Sequence, residues 1–211
     1  DRGVFLARYN AIGQHLWSQS LITGTIHVSN GGSGPVDLVS LPSGVGLVAS
    51  VGGTWDVGLG PITTSSLRDL IVMRFDLQGQ AQWQRHFPAG DVVSPVARGP
   101  AHHLVAGGTF TSQLVVDDKT LTANGQSAFL LSLDPATGAT QWRRGFGGYM
   151  DGVVQSAAGD VIALGSFTGT TDLGGGPLSA GNDRKGFGGH FDSAGQHLSS
   201  HIVGSDTQYG S

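Results

Sequence analysis

Phe129-Leu-Leu-Ser-Leu-Asp134 recurs three more times along the chain. Its counterparts are Phe5-Leu-Ala-Arg-Tyr-Asn10, Ile71-Val-Met-Arg-Phe-Asp76 and Phe187-Gly-Gly-His-Phe-Asp192. Successive copies begin 66, 58 and 58 residues apart. Each reads as a short strand that ends in Asn or Asp. A glycine follows every copy, at Gly13, Gly79, Gly138 and Gly195. Asn or Asp close to Gly marks a tight hairpin turn, because both residues tolerate left-handed backbone angles. Four residues beyond each glycine stand Trp17, Trp83, Trp142 and Ser199. Tryptophan at one repeat position in three copies points to a recurring packing anchor, which the last copy has lost.

Working outward, a second block repeats as Gly53-Thr-Trp55, Gly108-Thr-Phe110 and Gly165-Ser-Phe167. Apolar runs precede it at Val45 to Val51, Leu104 to Ala106 and Val161 to Leu164. A further element lies around Val36 to Leu41, Val92 to Ala97 and Val153 to Ser156. Each complete unit therefore holds four strand candidates. A sheet of four short strands cannot shield both of its faces, so units must stack on one another. The expected fold is all-β: a β-propeller of four-stranded antiparallel blades, since radial stacking leaves only short protected edges. A β-helix is the rival, but its repeats are usually much shorter. The expected divisions are 1–35 (a partial unit), 36–91, 92–151 and 152–211. The chain thus starts in mid-unit and holds fourteen strands, or three and a half units. Either it is a piece of a longer chain, or two copies complete a ring of seven.

The stretch Gly165-Ser-Phe-Thr-Gly-Thr-Thr-Asp-Leu-Gly-Gly-Gly-Pro-Leu178 leads into Phe187 and Asp192. Phe129 to Asp134 continues through Gly138 and Trp142 to Phe146-Gly-Gly148 and Asp151. Both resemble the bacterial β-propeller repeat of the SBBP type: an apolar strand ending in Asp, a Gly turn, Trp, then Phe-Gly-Gly and an acidic residue. The resemblance spans essentially the whole chain, and the last two copies match best. The copy from 36 to 91 departs from it, with Pro88-Ala89-Gly90 in place of Phe-Gly-Gly and a longer glycine-rich segment, Ile26 to Gly34, before it. The resemblance implies a secreted or surface-attached bacterial protein. It transfers no catalytic residues.

Composition agrees with a strand-and-turn protein. All 15 acidic residues are aspartate, only Lys119 and Lys185 are lysine, and 36 of 211 residues are glycine. Glu and Lys favour helices, whereas Asp and Gly favour turns. A net charge of −4 without any basic run argues against nucleic acid, which needs clustered cations. No apolar stretch reaches the ~20 residues that cross a bilayer as a helix. With no cysteine, neither disulfides nor thiolate metal sites can form.

Each chemically suggestive residue has a plainer alternative. Trp17, Trp83 and Trp142 could form a carbohydrate platform, but their shared phase favours structural anchors, as it does for Phe110 and Phe167. Trp55, in the place of those phenylalanines, reads as core. Asp76, Asp134 and Asp192 could bind calcium, but no Asp-x-Asp-x-Asp-Gly loop occurs, and turn capping is preferred. Asp91, Asp151 and Asp206 read the same way, and Asp117-Asp118 reads as an exposed turn. His102 and His103 would point to opposite faces of a strand, a poor arrangement for sharing a metal. His15 and His197 share a repeat position, two residues past the turn glycine, and read as exposed. Ser50 sits in a core strand without the flanking glycine of a nucleophile elbow. Gly31-Gly-Ser-Gly34 and Gly174-Gly-Gly176 lack the Lys and Ser/Thr of a phosphate loop. No catalytic, cofactor or metal site is expected.

The leading functional expectation is a non-catalytic binding or adhesion module at a bacterial surface, with a protein or glycan ligand. A second is a structural subunit whose open sheet edges are completed by a partner chain or by self-association. A third, without a supporting constellation, is a polysaccharide-acting enzyme that uses aspartates.

Overall fold

The computed structural model describes residues 5–21, 36–64, 68–98 and 103–204. Among them there are sixteen strands and no helix. The segments at Asp1-Arg2 and Ile26 to Gly34, together with His102 and Asp206, lie outside the described residues. The first strands are β1 (Phe5–Tyr9) and β2 (His15–Ser20), which pair as a two-stranded sheet. Next come β3 (Val36–Leu41), β4 (Gly44–Val51), β5 (Thr54–Trp55), β6 (Ile62–Thr63), β7 (Asp69–Phe75) and β8 (Ala81–Phe87). They are followed by β9 (Val92–Arg98), β10 (Leu104–Val116), β11 (Lys119–Leu133) and β12 (Thr140–Gly147). The last four are β13 (Tyr149–Gln155), β14 (Val161–Asp172), β15 (Pro177–Phe191) and β16 (His197–Val203). Three four-stranded antiparallel sheets result, in the orders β3-β4-β7-β8, β9-β10-β11-β12 and β13-β14-β15-β16.

The repeated segment is one strand in each sheet: β1, β7, β11 and the end of β15. A β-bulge falls at the same place in all four hairpins, at Arg8/Tyr9, Arg74/Phe75, Ser132/Leu133 and His190/Phe191. A bulge inserts one unpaired residue and strengthens local twist. Here it falls where Trp17, Trp83, Trp142 and Ser199 stand opposite the last regular residue of the partner strand.

Both faces of the middle sheet are covered. Val48, Leu70 and Val72 pack against Leu104, Phe129 and Leu133 in one core. Val105, Ala128 and Leu130 pack against Val153, Val161 and Phe187 in the next. The other face of the first sheet (Ala49, Ile71, Phe75) covers Leu6 and Leu21 at the β1–β2 hairpin. The first and middle four-stranded sheets thus each present one face to the unit before and the other to the unit after, which is how sheets too small to fold alone remove apolar area from water. Ile71, Phe129 and Phe187 are at most 1 % exposed, whereas Phe5 at the same repeat position is 74 % exposed. Phe5 shares its strand register with the others but not their burial.

Two expectations need correction. The described residues hold sixteen strands rather than fourteen, because β5 and β6 form an extra two-stranded ribbon. The block Gly53-Thr-Trp55 is also out of register with its supposed equivalents. Phe110 pairs with Ser127 and Phe167 with Lys185, but the residue in that register position of the first sheet is Val51, opposite Asp69. The backbone leaves the sheet at Gly52-Gly53, so Trp55 pairs with Ile62 in the ribbon instead. Trp55 is nonetheless buried, at 3 % exposure.

Close approach, rather than turn geometry, explains Gly165 in β14. A Cβ there would stand 2.0 Å from the Tyr149 carbonyl oxygen and 2.3 Å from the Phe187 ring. Gly165→Ala should therefore cost about 2–3 kcal/mol through overpacking. Urea unfolding measures this; a loss below about 0.5 kcal/mol would show that β13 can move aside.

Candidate functional site

The positions singled out by the repeat form a recurrent clamp between consecutive units. Each tryptophan lies over the turn glycine of the following unit. A Cβ added to Gly79 would lie 2.9 Å from the Trp17 ring, one on Gly138 2.9 Å from Trp83, and one on Gly195 2.5 Å from Trp142. Each indole N–H donates to the carbonyl just past the turn Asp: Trp17 to Leu77 at 2.9 Å, Trp83 to Pro135 at 3.1 Å and Trp142 to Ser193 at 2.9 Å. Two residues further on, Gln19, Arg85 and Arg144 donate to the carbonyls of Gly79, Gly138 and Gly195, at 2.7, 2.5 and 2.8 Å. Glycine is required here for room as well as for its positive φ.

The turns themselves are held by their acids. Asp76 Oδ1 accepts from the N–H groups of Gln78 and Gln80, at 2.9 and 2.8 Å, and Asp192 Oδ1 from Ala194 and Gln196, at 3.0 and 2.7 Å. Asn10 makes the same pair of bonds. Asp134 Oδ1 accepts from the backbone of Ala136 and Thr137 and from the Thr137 hydroxyl. These bonds, the Thr137 N–H foremost and its hydroxyl next, hold the Asp134 carboxyl below its usual 3.8. A depressed carboxyl adds stability above the unfolded value, and that contribution is lost as pH falls through the folded value. Thr137→Ala removes the hydroxyl but keeps the N–H, so it should move the Asp134 titration part of the way up towards 3.8, readable by carboxyl NMR; an unchanged titration would exclude the hydroxyl as a cause.

Phe110 and Phe167 are each 1 % exposed, and Phe110 meets the Phe129 ring edge-on with centroids 6.2 Å apart. Ser50 is engaged in structure: its hydroxyl donates to the Val92 carbonyl at 2.5 Å. In the same register of the second sheet the Thr109 hydroxyl accepts from the Met150 N–H at 2.9 Å. These hydroxyls tie one sheet to the first strand of the next. Asp91 pairs with Arg68 at 2.8 Å, and Asp117 pairs with Arg85 across the first and second sheets. His15 is exposed, whereas His197 is partly buried and lies 3.0 Å from the Ser200 hydroxyl. Among the described residues no three His or Asp side chains gather to hold a metal ion.

Outside these anchors the structure forms a concavity of about 360 Å³ between the outer halves of the second and third sheets. Its polar groups are Thr122, Asn124, Ser127 and Thr170; Phe110, Leu121 and Phe146 supply the apolar wall. Gly145 and Gly147 leave the space open. The other sheets fill the corresponding place. Where the second sheet has Ser127 and Gly145, the first has Asp69 and His86, and the third has Lys185 and Ile202. Sequence reading missed this groove. Asn124-Gly125 has the composition of a two-residue hairpin turn. Instead the hairpin turns at Asp117-Asp118, and Ala123 to Gly125 bulge from β11 between Thr122 and Gln126. Among the described residues no charged side chain lines the groove. It can offer hydroxyl, carboxamide and peptide hydrogen bonds beside an apolar wall, but no general acid or base.

No model of a known protein family matches the chain, and no curated protein matches it in sequence. Among the described residues no helix is long and apolar enough to cross a membrane.

Proposed function

We propose that the stacked sheets are units of a β-propeller-like arrangement and that the chain is a non-catalytic binding module of a secreted or surface-attached protein. The ligand class is a neutral polyhydroxylated molecule, best represented by a short glycan. The observation that carries this reading is the uncharged groove at Asn124 and Gly145. Its volume of about 360 Å³ suits one or two sugar rings. Hydroxyl and carboxamide groups match sugar hydroxyls, and Leu121, beside the buried Phe110 and Phe146, offers a small apolar patch to the apolar face of a sugar ring. The resemblance to surface-attached bacterial repeats supports the same setting by analogy.

The test is a titration of neutral oligosaccharides followed by amide NMR. Shifts are expected at Thr122, Asn124 and Thr170, with weak affinity, on the order of 1 mM. Gly145→Val should fill the groove and abolish those shifts. A Cβ there meets Leu121 at 3.4 Å, an ordinary contact, so the fold should survive. Silence across a panel of neutral glycans at high concentration, or binding that persists in Gly145→Val, would overturn the proposal.

A further inference from the structure

We infer that Asn124-Gly125 is a site of spontaneous deamidation: the Gly125 nitrogen displaces the Asn124 side-chain amide, and a carboxylate is left in the groove. The inference does not depend on what the groove binds. It rests on the place of the two residues in β11.

Ring closure at an asparagine needs an unhindered nitrogen on the next residue, a backbone free to turn, and access to water. β11 meets all three needs here. Gly125 carries no Cβ, and nothing lies within 4 Å of the place where one would stand. Its φ is 82°, in the region open to glycine. Gln113 pairs with Thr122 and Thr111 with Gln126, so Ala123, Asn124 and Gly125 have no register partner on β10 among the described residues. Residues bulged out of a ladder turn without breaking the pairs on either side. Asn124 and Gly125 are both exposed, and Asn124 lines the groove.

The third sheet supplies an internal comparison. Asn182 stands one repeat of 58 residues further on, at the position of Asn124. It lies in the matching bulge of β15, between Gly181, which pairs with Gly169, and Lys185, which pairs with Phe167. It is exposed too. The difference is the next residue, Asp183 in place of Gly125. An aspartate side chain crowds the attacking nitrogen, and its negative charge opposes loss of the peptide proton.

The chemistry needs only water and hydroxide. Hydroxide removes the Gly125 N–H proton, and the nitrogen attacks Asn124 Cγ. A C–N bond forms, the Cγ–Nδ2 bond breaks, and ammonia leaves with a proton taken from water. Water then opens the five-membered imide at either carbonyl, giving aspartate or isoaspartate. Nothing is oxidised or reduced. A carboxamide that donates and accepts becomes a carboxylate that only accepts. The groove, lined by no charged side chain among the described residues, becomes anionic.

The test is to incubate the intact folded chain in mildly alkaline buffer, then denature it and map its tryptic peptides. Cleavage after Lys119 and Arg143 isolates Asn124, and cleavage after Arg144 and Arg184 isolates Asn182. Asn30-Gly31, outside the described residues, falls in a third peptide. The Asn124 peptide should gain the mass of an amide-to-acid exchange and split into aspartate and isoaspartate forms. The Asn182 peptide should convert about tenfold more slowly or less, a barrier difference of about 1.4 kcal/mol at tenfold. Gly125→Ala should slow the reaction at Asn124 by a similar factor. Asn124→Gln, an exposed substitution that leaves the fold intact, should stop it on the same timescale. Conversion of Asn124 no faster than that of Asn182 overturns the inference. So does an equal mass gain in the same peptide of Asn124→Gln, which would place the reaction at another residue.

Discussion

Trp83→Ala should lower the unfolding free energy by about 3–5 kcal/mol, the range for removing a buried large aromatic. Trp83 is 8 % exposed, belongs to the core between the first and second sheets, and donates its indole N–H to Pro135. Truncation opens a cavity under Gly138 and strands the Pro135 carbonyl. Arg85, which donates to Gly138 and pairs with Asp117, loses the surface it lies along. Trp83→Phe should recover part of the loss, since it restores ring volume but not the hydrogen bond, whose net worth is about 1 kcal/mol. Urea denaturation of the three proteins provides the comparison. A cost below about 1 kcal/mol for Trp83→Ala would show that the sheets hold together without this clamp. Ser199→Ala, at the same repeat position but exposed among the described residues, should stay within about 0.5 kcal/mol of wild type.

Asp69→Ala should be comparably damaging, at about 3–5 kcal/mol, the range for breaking a buried polar pair by removing one member. Asp69 is fully buried at the start of β7. Its Oδ2 lies 2.7 Å from His86 Nε2, and its Oδ1 accepts from the Ala89 N–H at 2.9 Å. Alanine would leave the imidazole and the peptide N–H facing an apolar gap. Replacing both partners, as Asp69→Val with His86→Leu, should restore part of the stability, because the imidazole is then no longer left without its carboxylate, while the Ala89 N–H still lacks its acceptor. If the double substitution is as damaging as the single one, Asp69 acts through something other than this pair. The experiment also bears on the groove. Asp69 and His86 fill in the first sheet the register positions that Ser127 and Gly145 leave open in the second.

The repeated strand was legible because alternation and turn chemistry are local. Phe129 to Asp134 announces a strand by its own residues, Gly138 announces the turn, and the recurrence announces a shared role for Trp142. The Gly-x-aromatic block was legible as composition but not as register. Gly53-Thr-Trp55 resembles Gly108-Thr-Phe110 residue for residue, yet the ladder places Val51 opposite Asp69 and sends Trp55 to Ile62. A shift of register depends on which strand lies alongside, and a single segment does not carry that information. The groove was hidden for a related reason. Asn124-Gly125 has the same local preferences in a turn and in a bulge, and only the pairing of β10 with β11 separates the two.

The amino-acid order on its own determined the unit: a short strand, an acid-capped turn and a tryptophan, repeated often enough to require stacking. Such features follow from backbone preference and side-chain alternation within a few residues. Tertiary structure alone decided that Phe5 meets solvent while Phe129 and Phe187 do not, that Asp69 is buried against His86, and that Gly145 opens a groove. Burial and register are properties of two surfaces brought together, and they exist only once the neighbouring sheet is in place.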